Sequence, residues 1–336
     1  LPSPIVPRIE IEAIDAGAGS IPCVRSALPA VNLAAWSRAH RSWIDDELFR
    51  SGAVLFRGFD VEDAPAFSSA AHEISGPLFA DYGDLPRNQA GGQIYESTPY
   101  RADERILFHN ESSHMPSWPM RIHFYCAMPA TRGGSTPIVD TRKILELLSP
   151  DVFAEFAAKG LLYVRNFVDG VEPTWQRFFG TDDRAEVERA CRRNGSSFAW
   201  RSDGGLAVSQ RTSAVSRHSV TGEQIFFNQI QLHHISLLDE DVRDGLLAMF
   251  GHEGLPRNVY FGDGSPIPDE IVAHLSGIYD RICKRFEWER NDVIVLDNML
   301  AAHGRDSYGG ERRILVALAQ MTGARASSGK PSVVTD

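Results

Sequence analysis

Cysteine is scarce and dispersed. The four in this 336-residue chain, Cys23, Cys126, Cys191 and Cys283, show no C-x-x-C spacing, and a chain of this length needs no disulfide staples. A reducing, cytoplasmic setting is therefore expected. Long apolar runs are also missing: nothing approaches the roughly 20 consecutive apolar residues of a membrane span. The opening LPSPIVPRIEIEAID has no basic segment leading into an apolar one, so no export signal is expected. Positive charge is in deficit, with 34 Lys and Arg against 44 Asp and Glu and a net charge of -10. A nucleic-acid backbone or an anionic membrane is repelled on average by such a chain, and neither is expected as a partner. Internal repeats and low-complexity tracts are absent, and only the closing ASSGKPSVVTD, residues 326–336, reads as a flexible tail.

What remains is an ordinary globular composition, 43% hydrophobic and 23% charged, with ample material for a core. One decorated domain over residues 1–325, with its core at about 50–322, is expected rather than two. Apolar spacing predicts a helix over 31–50, a buried strand over 53–56 and a second helix over 64–74. The Gly-, Pro-, Asn- and Asp-rich stretch 83–92 reads as a loop, of the kind that often covers active sites. RIHFYC (121–126) alternates like a half-buried strand. Helices are expected near 141–147, 150–156, 182–193, 239–250 and 268–286, with strands at 161–165, 199–201, 206–209, 224–227, 292–296 and 314–319. Short strands bracketing helical insertions point to a mainly β fold with a double-sheet jelly-roll core, not to alternating parallel α/β.

Chemistry enters with His109-Asn110-Glu111 in FHNESSHMPSWP. On a strand, residues one apart from a common neighbour share a side, so His109 and Glu111 can reach one ion. His303, in LDNMLAAHGR, offers a third ligand. Two imidazoles and one carboxylate form the facial triad that holds non-haem iron(II) with open positions. A lone histidine is more often a surface or satisfied core residue. Here, however, GGST follows the first pair, and Arg312-Arg313 follows the distal histidine on the next expected strand.

FHNE, RGGSTPIVD, FFNQ, PRNVYFGDGS and LDNMLAAHGRDSYGGERRILVAL together resemble the taurine dioxygenase and clavaminate synthase superfamily, from about Phe56 to about Met321. Within it, the chain is most similar to the syringomycin-type hydroxylases of peptide antibiotic assembly. The resemblance implies a double-stranded β-helix and a dioxygenase using iron(II), 2-oxoglutarate and O2. It also implies iron ligation by His109, Glu111 and His303, and 2-oxoglutarate contacts from Thr136 and from one arginine of the pair Arg312-Arg313. A guanidinium fork suits the cosubstrate's distal carboxylate better than lysine does. Neighbours on a regular strand face opposite ways, so only one of the two arginines is the clamp, and both are candidates. Related halogenases carry a small residue at the carboxylate position, so Glu111 argues against halogenation.

The implied reaction is hydroxylation of an unactivated carbon, the β-carbon foremost, of an amino acid that is free or loaded on a peptidyl carrier protein. Desaturation or cyclisation is the alternative with the same cofactors. The competing classes are a zinc hydrolase on the same ligands, which would leave Thr136 and the arginines idle, and a jelly-roll binding module without turnover. Candidate substrate contacts are Ser97, Thr98, Asn110, Asn228, Gln229, His233 and Arg305. Asp297 and Asn298 are expected to fix the loop presenting His303. Dimers and tetramers occur in such families, so a homo-oligomer is compatible with the chain.

Overall fold

The computed structural model describes residues 9–27, 31–79, 89–91, 93–96, 100–171 and 173–323. A mixed sheet of eight strands forms the frame, in the order Ile9–Asp15, Ser20–Ser26, Ala53–Arg57, Val293–Asp297, Ser117–Met128, Arg313–Gly323, Ile94–Glu96 and Gln89–Gly91. Ser20–Ser26 and Ala53–Arg57 run parallel, and the other pairs are antiparallel. A sheet of three strands lies against it. Its centre is Ala301–Arg305, flanked by Ile106–His109 and Ile138–Asp140.

The faces of the large sheet follow from side-chain alternation. Ile122, Phe124, Ile294, Leu296, Val316 and Leu318 point to one side and meet Ile138 and Ala301 of the small sheet, together with Phe286 and Trp288. Val293, Val295, Leu315 and Ala317 point to the other side, where Leu33, Ile44, Leu48, Phe67, Ala70 and Ile74 of three N-terminal helices cover them. Burial of each such aliphatic side chain contributes about 1.5–3 kcal/mol. Both faces are covered, so RIHFYC is buried at every position instead of half-buried as its alternation suggested. The outer face of the small sheet, through Phe108, Val139 and Ala302, packs on the Asp269–Ile282 helix and on Leu161, Tyr163 and Phe261. Those last three residues belong to a separate sheet ordered Ser197–Trp200, Leu206–Thr212, Leu161–Phe167 and Arg257–Phe261.

Most expected elements are present. The helix foreseen over 31–50 is split into Leu33–Ala39 and Arg41–Ser51. His40 leaves helical geometry at the junction, and its Nδ1 contacts the Trp36 carbonyl at 2.8 Å. Two strands near the N-terminus, the edge strand Ile9–Asp15 and its neighbour Ser20–Ser26, were not foreseen. The stretch 83–92 lies mostly outside the described residues, though Gln89–Gly91 is a strand, and the expected tail 326–336 lies wholly outside them. Among the described residues no helix is long and apolar enough to cross a membrane.

Candidate metal centre and its surroundings

His109 and His303 are direct cross-strand partners in the small sheet, which places their rings on one face. Their centroids are 4.4 Å apart at an interplanar angle of 50°. Glu111 arrives by a different route from the one expected. The strand ends at His109, so alternation does not orient the carboxylate. The chain turns instead: Ser112 takes the left-handed conformation with φ 57, and Met115 N–H donates to the Ser112 carbonyl at 2.8 Å. This brings Glu111 Oε2 to 3.9 Å from His109 Nε2. One donor atom from each of His109, Glu111 and His303 lies within 4.8 Å of the others. His303 itself sits on the Ala301–Arg305 strand, not on a loop.

The donor set suits a divalent cation. The Nδ1–H of His109 points at the Leu107 carbonyl at 2.9 Å, which keeps the proton on Nδ1 and leaves Nε2 as a lone-pair donor. Burial alone pushes the Glu111 carboxyl up to about 7, a desolvation cost that a bound cation reverses. Phe124 of the large sheet packs edge-on against His303 at 5.2 Å and shields the centre from water. Two neutral imidazoles with one carboxylate can hold iron(II) and leave coordination positions open.

The turn carrying Glu111 is bound to the segment before His303. Asn298 Oδ1 accepts from Glu111 N–H at 2.7 Å, and Asn298 Nδ2 donates to the Glu111 carbonyl at 2.9 Å. Asn110 Nδ2 returns a bond to the Asn298 carbonyl at 2.6 Å. Asp297 is fully buried; its Oδ1 accepts from Met299 and Leu300 N–H, and its Oδ2 faces Arg121 and His218.

Thr136 is buried, and its Oγ1 accepts from Trp288 Nε1 at 3.2 Å, which leaves the hydroxyl proton available. The two candidate arginines part, although Arg312 precedes the strand that begins at Arg313, so strand alternation does not set its direction. Arg313 faces outward and pairs with Glu96 at 3.4 Å. Arg312 turns inward, and its Nε donates to the Gly134 carbonyl at 3.0 Å. Gly134 has φ 74, and a Cβ there would sit 3.1 Å from Arg312 Cδ and Nε, so this close approach requires glycine. Burial, with the neighbouring Arg305 charge second, pushes the Arg312 guanidinium down to about 10. Among the described residues no carboxylate pairs with it. Arg305 and Arg312 both lie against the Tyr308 ring, at 5.1 and 5.5 Å.

The remaining candidates are scattered. Ser97 and Thr98 lie outside the described residues. Asn110, Asn228 and Gln229 form a buried seam: Asn110 N–H donates to the Asn228 carbonyl, and Gln229 Nε2 donates to the Asn110 carbonyl at 3.0 Å. Most of their polar groups are engaged within this seam, and Asn228 Oδ1 accepts from Ile230 N–H at 3.0 Å. Arg305 donates to the carbonyls of Tyr100, Arg101 and Glu104. His233 borders a separate cavity next to the ligand turn, with His114, Tyr163, Arg165 and Arg257. Sequence reasoning passed over those four residues; the second histidine of HNESSH was the only available signal, since register alone brings Arg165 and Arg257 together.

Comparison with known proteins gives the chain's family and relatives. The profile of the family described as taurine catabolism dioxygenase TauD, TfdA matches residues 21–318. The dapdiamide synthesis protein DdaC of Enterobacter agglomerans is 38% identical over 276 residues, 82% of this chain and 84% of that one. A clavaminate synthase-like protein of Arabidopsis thaliana is 29% identical over 315 residues, 89% of this chain and 92% of that one. Among solved structures, PvcB of Pseudomonas aeruginosa, described as an Fe, alpha-ketoglutarate dependent oxygenase, shares the fold with a TM-score of 0.54 at 14% identity, covering 92% of this chain and 90% of its own.

Proposed function

Because the chain belongs to the taurine catabolism dioxygenase TauD, TfdA family, we propose that it is an iron(II)- and 2-oxoglutarate-dependent dioxygenase of specialised-metabolite biosynthesis. It hydroxylates an unactivated C–H bond, at the β-carbon foremost, of an amino acid that is free or borne on a carrier protein. The paired sheets are read as the double-stranded β-helix that such enzymes use. The carrying observation is the convergence of His109, Glu111 and His303, together with an arginine, Arg312, held inward on Gly134 without an acidic partner among the described residues.

His109 Nε2, Glu111 and His303 hold the metal. Arg312 grips the distal carboxylate of 2-oxoglutarate, and Thr136, its oxygen already accepting from Trp288, donates its hydroxyl proton at the same end. Arg313, engaged with Glu96, is left out of the clamp. When bound, iron(II) with 2-oxoglutarate and dioxygen supplies the oxidising power, with succinate and carbon dioxide as co-products. The protein's task is to place one C–H bond and to exclude water, through Phe124 and the closed packing around the ligands.

The test supplies the purified chain with iron(II), 2-oxoglutarate and the free amino acids in turn, and follows succinate and a +16 product by mass spectrometry. Iron-dependent succinate release is expected. Substrate turnover without succinate would reject the reading.

A further inference from the structure

Arg305 and Arg312 share one aromatic neighbour, Tyr308, which has no part in the proposed ligand set or clamp. Tyr308 lies in a two-stranded ribbon of Arg132–Gly133 with Tyr308–Gly309, where it pairs with Gly133. Gly134 N–H donates to the Ser307 carbonyl at 3.0 Å, and Tyr308 N–H donates to the Ala102 carbonyl at 2.8 Å. A Cβ at Gly133 would fall 2.4 Å from the Ser307 carbonyl oxygen, so the ribbon closes this tightly only because glycine stands there. The backbone that carries the ring is tied on both sides.

The ribbon, with Gly134 immediately after it, meets the Arg312 side chain at two points. The Gly134 carbonyl accepts from Nε at 3.0 Å, and the guanidinium carbon stands 5.5 Å from the Tyr308 ring centroid, within the reach of a cation–π contact. A carboxylate partner would occupy the terminal N–H groups and neutralise the charge. A ring attracts the cation through its π cloud and leaves those groups to bind an anion. The ring has a pinned neighbour as well. Arg305 is buried, its terminal nitrogens donate to the carbonyls of Tyr100, Arg101 and Glu104, and its guanidinium carbon lies 5.1 Å from the same centroid. Tyr308 is thus held by its backbone and against a fixed cation, which suits it to hold a second one still.

We propose that Tyr308 is a positioning residue of the cosubstrate site: its ring orients the Arg312 guanidinium so that the terminal nitrogens face the distal carboxylate of a 2-oxo dicarboxylic acid. The inference deepens the oxygenase reading and rests on its assignment of Arg312 as the clamp. It has a consequence for selectivity. A fork held in one plane favours an acid with a distal carboxylate over one without, and that preference depends on the electron density of the ring at position 308.

The test places phenylalanine, then phenylalanines with one, two and three ring fluorines, at position 308 of the full chain. Fluorine drains the ring face of negative charge at nearly constant shape, so packing is kept while the cation–π contact fades. Each protein, loaded anaerobically with iron(II), is titrated with 2-oxoglutarate and with 2-oxobutanoate, which lacks the distal carboxylate, and the visible charge-transfer absorption is followed. Affinity for 2-oxoglutarate is expected to stay within about threefold of wild type in Tyr308→Phe and to fall stepwise with each fluorine, about tenfold in all. Affinity for 2-oxobutanoate is expected to hold within roughly twofold throughout. Tyr308→Leu, which removes the ring, should bind 2-oxoglutarate no better than the most fluorinated protein. Unchanged 2-oxoglutarate affinity across the fluorine series, a parallel loss for both acids, or wild-type affinity in a folded Tyr308→Leu would overturn the proposal. The fluorinated side chains keep the shape of phenylalanine, so misfolding of Tyr308→Leu leaves the test intact. Wild-type protein that binds the two acids equally fails the clamp assignment of Arg312, and the Tyr308 proposal with it. A wild-type preference for 2-oxoglutarate that the fluorine series leaves intact fails the Tyr308 proposal alone.

Discussion

Replacing Arg312 by Gln separates function from stability at a single position. The guanidinium is held inward with Gly134 as its hydrogen-bond acceptor, and burial pushes it down to about 10. It remains charged at neutral pH, at a folding cost of at most about 3 kcal/mol. The same charge is what a bound dicarboxylate meets. A bidentate charge-assisted pair in such a place is worth about 3 kcal/mol, which corresponds to a roughly 150-fold change in affinity. Arg312→Gln should therefore weaken 2-oxoglutarate about 100-fold while melting at or above the wild-type temperature. Arg313→Gln removes only a solvent-exposed pair with Glu96 and should shift affinity less than twofold. The assay is anaerobic titration of the iron(II)-loaded proteins with 2-oxoglutarate, followed by the visible charge-transfer absorption, alongside thermal unfolding. A large loss of affinity in Arg313→Gln with Arg312→Gln near normal would refute the assignment, as would a marked drop in melting temperature for Arg312→Gln.

Three other outcomes are expected. His109→Ala should abolish iron-dependent succinate release and lower bound iron by elemental analysis while the far-UV circular dichroism stays unchanged; near-normal turnover would contradict the ligand set. His123 is buried between Ser75 and Ala317, and burial holds its imidazole at about 4, below its ordinary value of 6.5. The unfolded chain thus takes up a proton first as pH falls, so this group's stabilisation is complete above pH 6.5 and is lost as pH falls toward 4. Linkage gives about 2 kcal/mol lost between pH 7 and pH 5. Denaturant melts of wild type and His123→Gln should diverge in slope by that amount, and parallel slopes would reject it. Burial pushes the thiols of Cys23 and Cys126 up to about 12, so a disulfide reagent should find both inert in the native protein and reactive in denaturant.

The grouping of His109, Glu111 and His303 was legible because three residue types of defined chemistry stood in a recognisable order. The path by which Glu111 reaches the centre was not, since it depends on the left-handed turn at Ser112 that nothing in HNESS announces. The choice between Arg312 and Arg313 was open for a related reason: alternation says they diverge, but only the position of Glu96 and Gly134 says which one turns in. RIHFYC looked half-buried because its polar members, Arg121 and His123, read as solvent-facing. Both are buried, with Arg121 against Asp297 and His123 against Ser75. The two N-terminal strands escaped notice because their pattern of Ile, Glu and Pro is weak and Ile9–Asp15 is mostly exposed. The carboxylates at Asp297 and Asp292 similarly gave no sign of burial before their arginine partners were placed.

The Asn298 side chain and the Glu111 peptide bond each other reciprocally across 187 positions of sequence, much as two nucleobases pair. Neither half of the chain can bring His109, Glu111 and His303 together alone, so on the proposed ligand set a nascent or partly unfolded polypeptide lacks the complete triad. Loading with iron then reports that folding is complete. A redox-active ion is thereby kept off immature chains, where it could generate stray oxidants with nothing to consume them.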